Sequence, residues 1–317
     1  MSIDLPAAAV EYLQARRARG YLSRDHAWLI SSFLDGLGAQ NSTTITRANV
    51  LAFATAPIGT GRAWQAFRLS TIRGFAAYVH GLDPDVAEVI PGRLISATYA
   101  RRIPYLYSAA QISDLMTRST ALLPPLLGVT MAAFIGLIAA TGMRGGEAIA
   151  LDSEDFLPAQ ALLTVTGKYG RQRVLPLHTT TVAALITYRQ VRATMTPTPV
   201  EGPFFVGATG KRLNHSSAQD AFRLVADACD LPTNPGTRPP RLHDLRHSFA
   251  VNSLIDAHRQ GVDIDARIAV LATYLGHVNP LNTYWYLSEG SEIASDGREA
   301  ASRLISGASE WPISPAA

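Results

Sequence analysis

Between Pro124 and Met143 the chain carries no charged side chain, and it then meets Arg144 and Glu147. An apolar stretch of this length has to be hidden either in a bilayer or in a protein core. Alanine, glycine and threonine in its second half, and the charged residues that follow at once, favour a buried core helix. The rest of the chain must then supply the layers that cover it. With 317 residues, 47% of them hydrophobic, there is enough apolar surface for a sizeable core, and the length is above that of a usual single domain, so two domains are expected. Cys229 is the only cysteine, which excludes an intramolecular disulfide and suits a small buried hydrophobe in a reducing compartment. The start of the chain, with Asp4 and Glu11 around a short apolar stretch, does not read as a secretion signal, so a cytoplasmic location is expected and no membrane partner.

Helical periodicity runs from Ala7 to about Val89, with Val10, Leu13, Trp28, Leu29, Phe33 and Leu34 at spacings of three and four, broken at Ser23, at Asn41 to Thr46 and at Pro57 to Gly61. A small helical bundle over residues 1–90 follows. In its last helix Trp64, Phe67, Ile72, Phe75 and Val79 are expected inward. Arg62, Arg68 and Arg73 are left for a surface that is either solvated or set against a polyanion. Residues 91–107, with Pro91, Gly92, Arg101, Arg102 and Pro104, read as a basic linker. Beyond it Ser108 and Gln111 have capping-box spacing for a helix starting at Ala109. Two short β segments, Leu162 to Thr166 and Arg173 to Leu177, flank the turn Gly167-Lys168-Tyr169-Gly170 and form a hairpin with a basic tip. Helices are expected again at Thr180 to Thr194, Ser216 to Ala228, His243 to about Arg259, Asp265 to Leu275 closed by Gly276, and Pro280 to Ser288 behind an Asn279 cap, with a short strand at Phe204 to Val206. The fold class is therefore mainly α with a small β-sheet (α+β). Its second domain spans 108–292, and residues 293–317 form a C-terminal helix or tail.

The net charge is only +3, but 26 of the 28 basic residues are arginine, Lys168 and Lys211 being the exceptions. Codon usage in a GC-rich genome and selection for guanidinium forks that grip phosphate both account for that bias. Residues 1–107 hold 11 arginines against 7 acids, whereas the remainder is slightly acidic, so the front third is the part suited to a polyanion.

The polar residues of the second domain are weak evidence singly. Arg144 has a pairing partner three residues on in Glu147. His243 and His247, four apart, have the spacing of a zinc pair, yet Asp244 stands where the zinc proteases need glutamate, and no cysteine cluster or third carboxylate supports a metal. Taken in order, however, Arg144 with Glu147, Lys168 on a hairpin, His243-x-x-Arg246-His247, Leu275-Gly276-His277 and a tyrosine on the next short helix resemble the tyrosine recombinases, or phage integrase family, in the manner of a transposon-borne or an Xer-like member. The resemblance covers about residues 100–290 by motif. It implies a helical (SAM-like) core-binding domain ahead of a mixed α/β catalytic domain, the two clamping a DNA duplex.

By that resemblance the reaction is transesterification through a 3′-phosphotyrosine, serving integration, excision or resolution without a cofactor. The implied partners are double-stranded DNA and three further copies of the chain in a tetramer on two DNA sites, with accessory recombination proteins compatible, and the implied location is the nucleoid. The residue chemistry fits. Arg144 and Arg246 suit the anionic oxygens of a phosphodiester, and His243 and His277 add hydrogen bonds, His243 being the implied base. Ionising a tyrosine at neutral pH costs about 4 kcal/mol, which two guanidiniums would offset. An alkoxide leaving group needs an acid; lysine serves and arginine does not, so Lys168 is the expected acid and Lys211 the runner-up. Leu281, Tyr284, Trp285 and Ser288 form one mostly apolar helical stripe, and Asn279, Asn282, Thr283 and Tyr286 a polar one. Tyr286 is thus the expected nucleophile and Tyr284 a core residue. Arg62, Arg68 and Arg73 are the expected DNA-backbone contacts. The rivals are a type IB topoisomerase-like relaxation of DNA and a DNA-binding protein without catalysis.

Overall fold

The structure, a computed structural model, describes residues 3–21, 24–92, 94–95, 104–167, 170–196, 202–232 and 239–276. The chain divides into two compact units, Met1–Arg101 and Arg102–Ala317. Among the described residues no helix is long and apolar enough to cross a membrane.

The first unit has four helices: α1 (Leu5–Ala18), α2 (Arg24–Ala39), α3 (Arg47–Thr55) and α4 (Arg62–Leu82). Leu69, Ile72, Phe75, Ala76 and Val79 repeat at three and four along α4 and are buried, so this helix carries the core on which α1, α2 and α3 pack. Local chemistry starts α3: the Thr46 hydroxyl accepts from the Asn49 amide at 3.3 Å while the Asn49 side chain accepts from the Thr46 amide at 2.9 Å. Of the apolar residues in that periodicity Leu29 and Phe33 are buried, whereas Val10 and Trp28 are more than half exposed. Tyr12 and Ile30 are buried beside them, because the apolar positions adjoin in sequence and only one phase of the helix can meet α4.

Arg68 corrects the expectation of a DNA contact. It is 5% exposed, and its Nε and Nη2 both donate to the Phe53 carbonyl, at 3.2 and 2.7 Å. Its guanidinium also lies 3.8 Å from the centroid of the Phe53 ring. The side chain is therefore spent on closing the last turn of α3 against α4. Arg62 is exposed at the start of α4, and Arg73 is half-buried.

In the second unit α5 (Ala109–Leu122) and α6 (Pro125–Thr141) form an antiparallel pair. The reciprocal Ser108 and Gln111 bonds, 2.9 and 3.2 Å, start α5. The pair packs closely because Gly128 of α6 faces the Ser119 carbonyl, where a Cβ would lie 2.7 Å from the oxygen. The uncharged stretch is α6: Met131, Phe134, Ile135, Leu137 and Ile138 are at most 1% exposed, wrapped by α5, α8 (Thr179–Met195) and α10 (Asp244–Arg259). Tyr105 and Tyr107, read from sequence as linker, belong to this core. The Tyr107 amide donates to Ser248 Oγ at 2.8 Å and its hydroxyl to the Arg241 carbonyl at 3.1 Å.

Beside the helices lies an antiparallel sheet in the order β1 (Phe156–Leu157), β2 (Leu162–Thr166), β3 (Gln172–Pro176). Leu163 pairs with Leu175 and Val165 with Arg173, which sends Leu163, Val165 and Leu175 into the core and leaves Val174 in solvent. The strand expected at Phe204 to Val206 is instead a buried bend between isolated bridges. Arg192, itself 5% exposed, donates to the carbonyls of Pro203 and Phe204, so acceptors that a strand partner would need are already taken. The short α7 (Gly145–Ala150) and the longer α9 (His215–Ala228) remain, and α11 (Ile264–Leu275) packs on α10 through Val251, Leu254, Ile268, Leu271 and Leu275.

Replacing Arg68 with alanine removes both donors from the part-buried Phe53 carbonyl and is expected to destabilise the first unit by about 1–3 kcal/mol. Urea denaturation of Arg68→Ala against wild type checks this; an unchanged midpoint would show that the guanidinium is dispensable there.

Candidate active site

The site begins where α6 stops. Gly142 adopts φ 63°, and a Cβ there would sit 2.3 Å from the Phe249 ring, so only glycine turns the chain at this point. The turn brings Arg144 to the start of α7. Its amide donates to Glu147 Oε2 at 3.0 Å, its Nη1 to Glu147 Oε1 at 2.7 Å, and its Nη2 to the Gly276 carbonyl at 3.2 Å. Glu147, whose side chain is 6% exposed, has a second cation: Arg173 of β3 donates Nη2 to Oε2 at 2.7 Å and Nη1 to Oε1 at 3.2 Å. Burial by itself would raise the Glu147 pKa. The hydrogen bonds from Arg173 and from Arg144, with the Arg173 charge, outweigh it and bring the carboxyl down to about 2.

The same arginines meet the end of α11, which Gly276 closes at φ 66°. Its last carbonyls are taken one after another: Tyr274 O by Arg173 Nε at 3.0 Å, Leu275 O by Arg246 Nη2 at 2.9 Å, and Gly276 O by Arg144 Nη2 at 3.2 Å. A helix C-terminus leaves carbonyls unpaired and carries the negative end of the helix dipole, so three guanidiniums there are favourable. Arg246, only 1% exposed, also donates Nη1 to the Gly142 carbonyl at 2.7 Å, tying the end of α6 to the end of α11.

His243 sits on the turn into α10. That turn is fixed by the buried Asp244, whose carboxylate accepts from the Arg241 amide at 2.9 Å and from Arg241 Nη2 at 2.8 Å. His243 opens onto a cleft of about 480 Å³ shared with Arg144, Glu147, Thr166, Gly167, His215 and Gln219. The neighbouring His247 ring meets it edge-on at 4.9 Å. Desolvation, then the charges of Arg246, Arg241 and Arg144, hold the His243 pKa below the usual imidazole value, with Asp244 opposing. The result is a neutral imidazole able to take a proton, beside a fixed array of cations that suits an anionic substrate.

Of the residues expected from sequence, Arg144 and His243 are brought to one cleft, and Arg246 joins Arg144 at the end of α11. Lys168, His277, Tyr284 and Tyr286 lie outside the described residues, as do the helix expected at Pro280 to Ser288 and the segment 293–317. Lys211 is exposed on a turn that begins at Gly207. Tyr274 stacks on Phe249 at 5.7 Å as a packing residue. Sequence reasoning missed Arg173, His215 and Gln219. Strand alternation held the signal for Arg173, since it shares the inward face of β3 with Leu175.

The phage integrase family pattern matches residues 107–292, more than half of the chain and all of the elements just described from Tyr107 onward. The chain belongs to the phage integrase family. It is a tyrosine-type site-specific recombinase. The recombinase is 32% identical over 294 residues to the Sinorhizobium fredii protein y4rE, by name an integrase/recombinase, covering 92% of this chain and 93% of that protein. It is 27% identical over 253 residues to the tyrosine recombinase XerC of Alcanivorax borkumensis, covering 79% and 77%. Its fold matches the Tn1549 transposon integrase, solved in complex with transposon right end DNA, at a TM-score of 0.63 and 13% identity over 94% of this chain and 99% of that one.

The depressed Glu147 pKa makes a stability prediction. The contribution is fully present above the ordinary pKa of 4.5 and is lost as pH falls through about 2. It is of the order of 3 kcal/mol. Urea midpoints measured between pH 5 and 2 should therefore fall less steeply in Glu147→Gln than in wild type, and parallel curves would contradict the assignment.

Proposed function

We propose that this recombinase cuts and rejoins double-stranded DNA by transesterification through a 3′-phosphotyrosine, with Tyr286 as the nucleophile. The observation that carries the reading is a convergence from two distant segments: Arg144 and Arg246 meet at the end of the helix that precedes His277 and Tyr286 in the chain, and His243, on the same turn of α10 as Arg246, shares the cleft with Arg144. In this reading the arginines hold the phosphate oxygens and take up charge as it develops. His243 accepts the tyrosine proton, a role that suits an imidazole kept neutral. Lys168 protonates the 5′-oxygen as it leaves, and His277 adds a hydrogen bond to the phosphate. The phosphoester bond energy stays in the adduct, so a 5′-hydroxyl from a second duplex reverses the step without a nucleotide or metal cofactor. Exchange between two duplexes breaks four strands and needs four nucleophiles, which supports a homotetramer on two sites, acting in integration, excision or resolution. That the Tn1549 integrase is held on transposon end DNA supports DNA as the partner.

Incubation with a nicked duplex carrying the cognate site tests the nucleophile. Wild type and Tyr284→Phe are expected to give a covalent protein–DNA adduct on denaturing gels, and Tyr286→Phe none; an adduct from Tyr286→Phe would end the assignment.

The basic first unit is proposed to contribute backbone contacts through Arg62 and Arg73. Changing either to alanine is expected to weaken binding to all sequences alike and to reduce the slope of log affinity against log salt by about 1. A shift in preference at one base pair would show base readout instead.

A further inference from the structure

Among the described residues Arg173 donates to none of the groups assigned to bond making, but it shares the Glu147 carboxylate with Arg144. The Glu147 carboxylate offers its lone pairs to four donors: Nη1 and Nη2 of Arg173, Nη1 of Arg144 and the Arg144 amide. Arg173 therefore supplies the fork, and Arg144 spends a single Nη on the acid. Its other bond goes to Gly276 O, which leaves Nε and one hydrogen on each Nη without a partner among the described residues. The Arg144 side chain, 32% exposed, lines the cleft, whereas that of Arg173 is 16% exposed and anchored a third time on Tyr274 O.

We propose that Arg173 is a positioning residue for strand cleavage: by occupying half of the Glu147 carboxylate it keeps Arg144 from closing onto that acid and so leaves Arg144 donors for the phosphate. The inference rests on the reading of Arg144 as a phosphate ligand. Without Arg173, a buried carboxylate would be left with two vacant acceptor directions and one nearby cation. An uncompensated buried charge is costly, so the Arg144 guanidinium would turn to engage both oxygens. Its donors would then leave the cleft, and the end of α11 would lose the bond to Tyr274 O. Glutamine at position 147 removes the charge that drives this collapse. The two substitutions should therefore not add.

The test uses the full chain and a nicked duplex carrying the cognate site, with single-turnover adduct formation at saturating DNA, duplex affinity, and amide hydrogen exchange over residues 144–150 and 272–276. Arg173→Gln is expected to slow adduct formation by about 10- to 100-fold with affinity changed less than about twofold, as for loss of a residue that orients a ligand. Adding Glu147→Gln in that background is expected to recover at least about fivefold of the rate. A merely structural loss would not be reversed by a second substitution at the same contact. Should Arg173→Gln fail to fold, Arg173→Lys, which keeps the charge but not the fork, takes its place with the same recovery expected. Adduct formation by Arg173→Gln within about twofold of wild type, or a double variant no faster than the single one, overturns the proposal. If wild type itself forms no adduct, the proposed chemistry has failed, and hydrogen exchange decides the positioning. Faster exchange in both segments of Arg173→Gln, reversed at 144–150 by Glu147→Gln, upholds the coupling, and unchanged exchange overturns it.

Discussion

Three guanidiniums on three successive carbonyls at the closed end of one helix organise the second unit. A helix end buried without partners would be costly, since its carbonyls have left water and found no donor. Here Tyr274, Leu275 and Gly276 receive Arg173, Arg246 and Arg144 in turn, from β3, α10 and the start of α7. Each arginine thereby fixes its own element against α11. The hairpin, the turn after α6 and the first turn of α10 share one reference point, and Arg144, His243 and Arg246 belong to the last two of those elements.

Charge balance explains why so many cations are tolerated together. The cluster holds one carboxylate, Glu147, and the negative end of a helix dipole, which together offset part of the repulsion among the arginines. What remains is a net positive site whose unmet demand is an anion. Burial and then the same cations discourage protonation of His243, so an array that attracts phosphate also keeps its neighbour neutral. Rigidity comes from below: Asp244 locks Arg241, Tyr107 locks the Arg241 carbonyl, and Ser248 links Tyr107 to α10. The turn bearing His243 is thus held by the first core residues of the unit as well as by its own helix.

Much of this was legible locally. The Ser108 and Gln111 box, the hairpin around Gly167 and Gly170, and the left-handed stop at Gly276 each depend on residues within a few positions of one another, and each is found where it was read. The failures share a different cause. Arg68 looked like a surface residue because it is a charged side chain among apolar neighbours that were expected to fill the core, but its partner is the carbonyl of Phe53 on another helix. Phe204 to Val206 has a strand's composition, and Arg192 withholds the acceptors. Arg173 was passed over because nothing in its own strand says that a carboxylate lies opposite.

The sequence by itself determined most of the described helices, the Ser108 start and Gly276 stop, the order of reactive residue types and hence the family, since these follow from periodicity and from chemistry at short spacing. Only the tertiary structure decided which arginines face a cleft and which close the protein upon itself. A guanidinium has five donors and no preference written into its neighbours. Its role is set by carbonyls and carboxylates that the fold brings near, often from 100 or more residues away, as for Arg144 with Gly276 and Arg246 with Gly142.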